Sequence, residues 1–148
     1  MLGESDVQMW ATAISTHAGN GRKIIFRFAQ EFRSDFVRAS QPIRVIIVWK
    51  YQSESGQPMA DELQRMNFME DALEPVFEQG HFATLALVST GEGLREWTYY
   101  VRSEDEFMTR LNCALEGSPA FPIEIHIASD PQWGSYEEFK AGVGNPVS

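Results

Sequence analysis

The stretch LREWTYYVRS (94–103), followed by EDEFMTRLNCALEG (104–117) and IEIHIAS (123–129), decides the fold of this chain. In its first segment Trp97, Tyr99 and Val101 alternate with residues that are polar or mixed in character. Alternation with a period of two is typical of a strand with one buried face, and aromatic and β-branched residues suit that surface. The first segment therefore predicts a half-buried strand.

A helix and a second strand are predicted directly after it. Ser103 and Glu106 have the spacing of a capping box, which satisfies backbone donors at a helix start. Gly117 and Pro119 are the residues with which helices commonly end. Between these signals an apolar stripe recurs at helical spacing, formed by Phe107, Leu111, Ala114 and Leu115. The alternation in IEIHIAS completes a strand–helix–strand unit.

The preceding half of the chain repeats this order. Residues 43–51 are almost continuously apolar, which predicts a central strand covered on both faces. A helical stripe begins at Met59 and is expected to kink or break at Pro75, because proline removes a backbone donor. A strand at 82–88 and a turn at 89–93 lead into the second unit.

From residue 43 onward the predicted elements follow the order strand, helix, strand, strand, helix, strand. This order predicts an α+β fold, a ferredoxin-like βαββαβ sandwich with both helices on one face of the sheet. The first strands of the two halves are expected to be central, parallel neighbours, with the opposite sheet face left free. We expect a single domain over 1–148, with an N-terminal β-hairpin at 7–28 turning at Gly19-Asn20-Gly21. Further divisions are a core at 43–128, a C-terminal turn and short helix at 129–140, and a frayed tail at 141–148. Residues 30–42 fit a short helix or an irregular connection.

The acidic composition of the chain limits the kinds of molecule that it is expected to bind. The 148 residues carry a net charge of −9 with a pI of about 4.7, which disfavours nucleic acid and anionic membranes. No apolar run reaches the length of a bilayer, and the N-terminus lacks a signal-peptide pattern. The single cysteine, Cys113, fits a reducing cytoplasm and lacks a neighbouring base that would make it a nucleophile.

No motif for a metal or cofactor is present. His17, His81 and His126 are far apart and lack the spacing of metal ligands. Gly91-Glu92-Gly93 reads as a hairpin turn, without the third glycine and following helix of a dinucleotide-binding loop. The sequence therefore predicts no cofactor, no metal and no catalytic residue.

The most distinctive local chemistry is DPQWGSYEEF (130–139). One interpretation is structural: Ser135 and Glu138 form a second capping box, and Trp133 and Phe139 close the edge of the core. The other interpretation makes the turn the rim of a site that includes the open sheet face. The candidate ligand- or partner-binding residues of that site are Arg44, Tyr100, His126, Asp130, Trp133 and Tyr136.

Several motifs together carry a family resemblance. They are RVIIVWKY (44–51), GQP (56–58), MED (69–71), REWTYY (95–100) and DPQWGSY (130–136). Through them the chain resembles a bacterial domain family of unknown function, the family numbered 695, from about residue 43 onward and more weakly over the hairpin. The resemblance implies no catalytic residues. Members are sometimes joined to a domain similar to ribonuclease E regulator B, which implies protein binding.

Three functions follow as hypotheses. The acidic surface, the missing catalytic constellation and the resemblance favour a small cytoplasmic protein-binding or regulatory module without catalysis. The alternative is a small-ligand-binding protein or enzyme using the open sheet face and the Asp-Pro-x-Trp turn. An immunity-type protein that neutralises a basic toxin would explain the acidity equally well. The sequence leaves the oligomeric state open.

Overall fold

A computed structural model describes residues 6–143 and has an α+β fold, as the sequence predicts. The strands are β1 (Val7–Thr16), β2 (Lys23–Phe32), β3 (Ile43–Lys50), β4 (Ala83–Gly91), β5 (Leu94–Val101) and β6 (Ile123–Ser129). The helices are α1 (Ala60–Glu78), α2 (Glu104–Leu115) and α3 (Gly134–Val143), and short 3-10 turns lie at Arg38–Ser40 and Gln79–His81. Over the described range, no helix combines the length and the apolar composition needed to cross a membrane.

The strands form one sheet in the order β1-β2-β4-β5-β3-β6, and every neighbouring pair is antiparallel. The predicted parallel pairing of β3 with β5 is therefore wrong. The crossover through α1 leaves β3 and β4 running in the same direction, and the tight turn at Glu92 and Gly93 then reverses the chain. Strand β5 therefore runs against both of its neighbours. The predicted ferredoxin-like sandwich is not confirmed as a whole, because the hairpin enlarges the sheet to six strands and changes its overall order.

One face of the sheet, the helix face, holds the main core. Trp49 of β3 and Trp97 of β5 lie there with ring centroids 6.3 Å apart. Helices α1 and α2 both pack on this face through the stripes that the sequence predicts. Their buried members are Met66, Met69, Leu73, Phe77, Phe107 and Leu111. Each such side chain contributes about 1.5–3 kcal/mol as an upper estimate, so the sheet holds helices that would be marginal alone.

Helix boundaries follow most of the predicted signals. Ser103 accepts a hydrogen bond from the backbone N–H of Glu106 at 3.3 Å, as expected for an N-cap. Of the kink or break predicted at Pro75, the break does not occur, because α1 continues through this residue to Glu78. The start of the predicted α1 stripe is solvent-exposed, with Met59 63% and Leu63 36% accessible. Strand β4 extends to Gly91, so the predicted turn at 89–93 shortens to two residues.

The opposite face of the sheet, the α3 face, is partly covered rather than free. Phe139 of α3 lies 5.0 Å from Phe26 and 5.2 Å from Phe28, measured between ring centroids. Trp133, just before the helix, is completely buried in a second apolar cluster. The prediction that this side of the sheet is left open for contact is therefore wrong over the area beneath α3.

The remaining boundaries concern the hairpin and the termini. The predicted N-terminal hairpin is present, and β2 is longer than expected because it runs to Phe32. The connection that follows is irregular apart from the turn at Arg38–Ser40, so of the two predictions for residues 30–42 the irregular connection is the one that forms after β2. Of the predicted frayed tail, residues 141–143 belong to α3, and residues 144–148 lie outside the described range, as do residues 1–5.

Candidate functional site

Three of the predicted site residues, Tyr100, Trp133 and Tyr136, pack together beneath α3. The rings of Tyr100 and Trp133 are nearly parallel with centroids 4.2 Å apart. Trp133 Nε1–H donates to the backbone oxygen of Gln41 at 3.0 Å, and the Tyr136 hydroxyl donates to the backbone oxygen of Ala29. Burial raises the pKa of Tyr136 to about 12 and also raises that of Tyr100, so both hydroxyls stay protonated as donors.

Asp130 ties this aromatic cluster to the start of α3. Its carboxylate accepts from the Tyr100 hydroxyl at 2.8 Å and from the backbone N–H groups of Gly134 and Ser135 at 2.8 and 3.1 Å. Burial alone would raise the pKa of Asp130, but these hydrogen bonds hold it below its ordinary value. Asp130 therefore caps the start of α3, the role that was predicted for a Ser135–Glu138 capping box. The Ser135 hydroxyl instead accepts a hydrogen bond from the Arg44 guanidinium.

The structure therefore gives these residues a packing role. Tyr100 and Trp133 are 0% exposed, and Tyr136 is 1% exposed but lines, with Arg44, a groove on this face of the sheet. His126 does not join the cluster; it lies exposed on the edge strand β6, 3.5 Å from Glu124. Trp133 adopts φ 58°, in the left-handed region that glycine normally occupies, so the surrounding contacts impose an uncommon backbone conformation.

A groove on the α3 face is large enough to hold a small ligand. It has a volume of about 250 Å³ and lies between the sheet and the first turn of α3. Arg44, Ile46, Thr98 and Ser135 are among the residues that line it. Arg44 Nε is buried without a hydrogen-bond partner in the described part of the chain, so this groove has an unsatisfied donor beside it.

A second cleft lies on the helix face, between α1 and the β1–β2 hairpin; we call it the hairpin cleft. One end, of about 200 Å³, is lined by Trp10 and by several carboxylates, among them Asp6, Glu74 and Glu78. The other end, of about 340 Å³, is lined by apolar side chains and two arginines. Arg27 lines both ends and its Nη2 donates to Glu70 Oε2 at 2.7 Å, so this ion pair divides the cleft.

Glu70 forms the centre of the charged network. Besides Arg27 it accepts from Trp97 Nε1 at 2.8 Å and from Arg95 Nη2 at 3.4 Å, and its side chain is only 15% exposed. Burial by itself would raise the pKa of Glu70, but the hydrogen bonds and charges of Arg27, Trp97 and Arg95 bring it below its ordinary value. The carboxylate is therefore ionised at neutral pH.

Strand β1 is an exposed edge of the sheet, paired on one side only with β2. It is ten residues long and contains neither a charged residue nor a proline. Met9, Trp10 and Ile14 are 46%, 39% and 47% exposed along it. Edge strands usually carry charges, proline or bulges that prevent pairing with another chain. Strand β1 has neither charge nor proline, and its register with β2 is irregular only at its start, between Val7 and Trp10.

Within residues 6–143 no group of three His, Cys, Asp or Glu side chains is arranged to hold a metal ion. Cys113 is exposed on α2, as its position off the apolar stripe predicts.

Comparison with known proteins identifies the family of this chain. A family model matches residues 8–140, nearly the whole chain. The chain belongs to the family of unknown function DUF695. The match includes the hairpin, so the similarity of this DUF695 chain to its family extends further toward the N-terminus than its motifs indicate. Comparison with curated proteins finds no match, and comparison with solved structures finds none either.

Sequence reasoning missed the residues of the hairpin cleft. Arg27 and Arg95 share a sheet face with apolar neighbours, and Glu70 falls next to the apolar stripe of α1. A charged residue at such a position signals a buried ion pair. The partners are 25 and 43 residues apart in the chain, so their pairing becomes visible only in the folded protein.

Proposed function

We propose that this chain is a non-catalytic protein-binding module whose contact element is the edge strand β1. The observation that carries the proposal is a ten-residue edge without charge or proline on a chain with a net charge of −9. From Trp10 to Thr16 this edge pairs regularly with β2 and has exposed apolar side chains, which favours the addition of a strand from a partner. The other edge strand, β6, is shorter and carries Glu124 and His126.

The direction of the backbone groups of β1 supports this role. The N–H of His17 donates to the backbone oxygen of Arg22 at 2.8 Å, so His17 points toward β2. Backbone groups alternate along an antiparallel strand, and those of Thr12, Ile14 and Thr16 consequently point away from β2. These groups are free to form a ladder with an incoming strand.

Side chains beside these groups define the chemistry of the partner. Ile14 pairs with Ile25 across the hairpin, and the guanidinium of Arg27 lies 5.5 Å from the ring centroid of Trp10. The carboxylates at the acidic end of the hairpin cleft lie on the same face of the sheet. An extended segment with alternating apolar and basic residues would match this surface, and its positive charge would speed association with an acidic protein.

Matched variants test this proposal in a capture experiment from a bacterial lysate at moderate salt. Ile14→Lys places a charge on the proposed edge, and Phe68→Lys introduces the same charge at an exposed position of α1 that is 57% accessible. We expect the wild type and Phe68→Lys to recover the same stoichiometric partner, and Ile14→Lys to lose it. A partner retained by Ile14→Lys, or no partner at all, contradicts the proposal.

A small-ligand role at the α3-face groove is the second candidate. Its support is the buried, unpartnered Nε of Arg44 beside a groove of about 250 Å³. Thr98→Trp would fill this groove from its floor. If a metabolite co-purifies with the wild type and is absent from Thr98→Trp, the second candidate gains over the first. For the protein-binding candidate, a basic toxin is one kind of partner that the acidic surface of this chain would suit.

Two finer assignments belong to the same proposal. The order β4-β5-β3-β6 and the packing of α1 and α2 on one face support a ferredoxin-like arrangement for that part of the sheet. The single, exposed Cys113 supports a reducing, cytoplasmic location.

A further inference from the structure

We propose that the arginine end of the hairpin cleft is a binding site for a monocarboxylate with an apolar tail. This site, which we call the arginine pocket, contains Arg27 and Arg95 on its polar side. Its apolar walls are formed by Ile25, Pro58, Leu63 and Val88. Neither the protein-binding role of β1 nor the family assignment requires this site.

Arg95 is the residue that points to a ligand. It is 8% exposed, and its Nε is buried without a hydrogen-bond acceptor in the described part of the chain. Its contact with Glu70 is long, at 3.4 Å from Nη2 to Oε1. A buried guanidinium with unused donors is costly, since its lost hydration is replaced only in part. A carboxylate in the adjoining cavity would place an acceptor and a negative charge beside this guanidinium.

The charge balance of the network also favours an anion. Two guanidinium groups, those of Arg27 and Arg95, face the single carboxylate of Glu70. The formal surplus is one positive charge, although the chain as a whole has a net charge of −9. No carboxylate is among the residues that line the arginine pocket, whereas the acidic end of the cleft contains several. One surplus charge matches a monoanion better than a phosphate dianion.

Shape and polarity indicate the rest of the ligand. The pocket volume of about 340 Å³ is in the range of small-molecule sites. Leu63, on α1, faces Ile25 of β2 across the opening, and both side chains are more than a third exposed. An alkyl or aryl tail that covers them would gain about 25 cal/mol for each Å² of apolar surface removed from water. A guanidinium of the arginine pocket would bind the carboxylate of the ligand through two parallel hydrogen bonds.

A carboxylate joined to an apolar tail occurs in free monocarboxylic acids and at the C-terminus of a peptide that ends in an apolar residue. Titration calorimetry separates the two sources with octanoate on one arm and an acetylated tripeptide ending in leucine on the other. The controls are 1-octanol and the tripeptide amide, which keep the apolar part and remove the charge. We expect at least one carboxylate to bind about tenfold or more tightly than its neutral analogue. Equal affinity within both pairs, or no binding of either carboxylate at millimolar concentration, overturns the proposal.

Variants locate the binding in the arginine pocket. Arg27→Met replaces a side chain that is 43% exposed, so the fold should tolerate it, and Arg95→Met replaces the buried guanidinium. Arg102→Met is the matched control, because Arg102 is exposed and donates to the backbone oxygen of Gly80 on another surface. Arg27→Met should weaken carboxylate binding about tenfold or more, with Arg102→Met unchanged. Unchanged affinity in Arg27→Met overturns the assignment even if Arg95→Met fails to fold.

Discussion

Replacing Glu70 by glutamine tests the charged network on which both ends of the hairpin cleft depend. The carboxylate accepts from Arg27 at 2.7 Å, Trp97 at 2.8 Å and Arg95 at 3.4 Å, and its side chain is only 15% exposed. Removing one member of a buried ion pair costs about 3–5 kcal/mol. Glutamine can still accept from Trp97, so we expect a loss of about 3 kcal/mol in the free energy of unfolding at pH 7.

Urea denaturation followed by tryptophan fluorescence measures this loss, and Glu74→Gln is the control. Glu74 is exposed one turn further along α1, so the same change there should cost less than about 0.5 kcal/mol. In thermal unfolding the Glu70→Gln loss corresponds to a Tm decrease of about 6–12 °C for a domain of this size. A Glu70→Gln loss equal to that of Glu74→Gln would refute the buried network.

The pH dependence gives an independent check on Glu70. Its folded pKa is below the ordinary value, so its contribution is complete above the unfolded pKa and is lost as the pH falls through the folded pKa. The difference between wild type and Glu70→Gln should therefore persist at neutral pH and shrink in acid below about pH 4. A difference that stays constant down to pH 3, roughly a unit below the ordinary value, would contradict the shifted pKa.

Three further substitutions probe the packing beneath α3 and the start of α2. Trp133→Ala removes a fully buried ring and should lower the free energy of unfolding by about 3–5 kcal/mol in urea titrations; a smaller cost than about 1 kcal/mol would contradict its buried position. Asp130→Ala removes the cap of α3 and the acceptor of Tyr100, and should cost about 2 kcal/mol with reduced amide protection in α3. Ser103→Ala should cost about 1 kcal/mol by circular dichroism melting, and no measurable cost would mean that the cap does not support α2.

Local signals made much of the fold predictable. The capping residue Ser103, the apolar alternation of β5 and β6 and the stripe on α2 each depend on neighbours within a few residues. The α+β class and the hairpin follow from such signals. Pro75 shows the limit of this reasoning, because the buried Leu73 and Phe77 on either side anchor that turn of α1 to the sheet.

Features that depend on distant contacts were not predictable. The antiparallel pairing of β3 with β5 follows from strand order across the whole chain, and periodicity does not report strand direction. For the candidate site, the sequence identified residues that do meet, such as Tyr100, Asp130 and Trp133, but their chemistry suits a buried anchor as well as a binding rim. The network of Glu70 was missed because its partners lie on other elements.

The central claim is that the free edge of β1 accepts a strand from a partner protein. Hydrogen exchange at the amides of Thr12 and Ile14, measured with the free chain and with the captured partner, tests it most directly. Both amides point away from β2, so we predict fast exchange in the free chain and strong protection in the complex. Amides that stay unprotected in the complex, while protection appears on another surface, would contradict the claim.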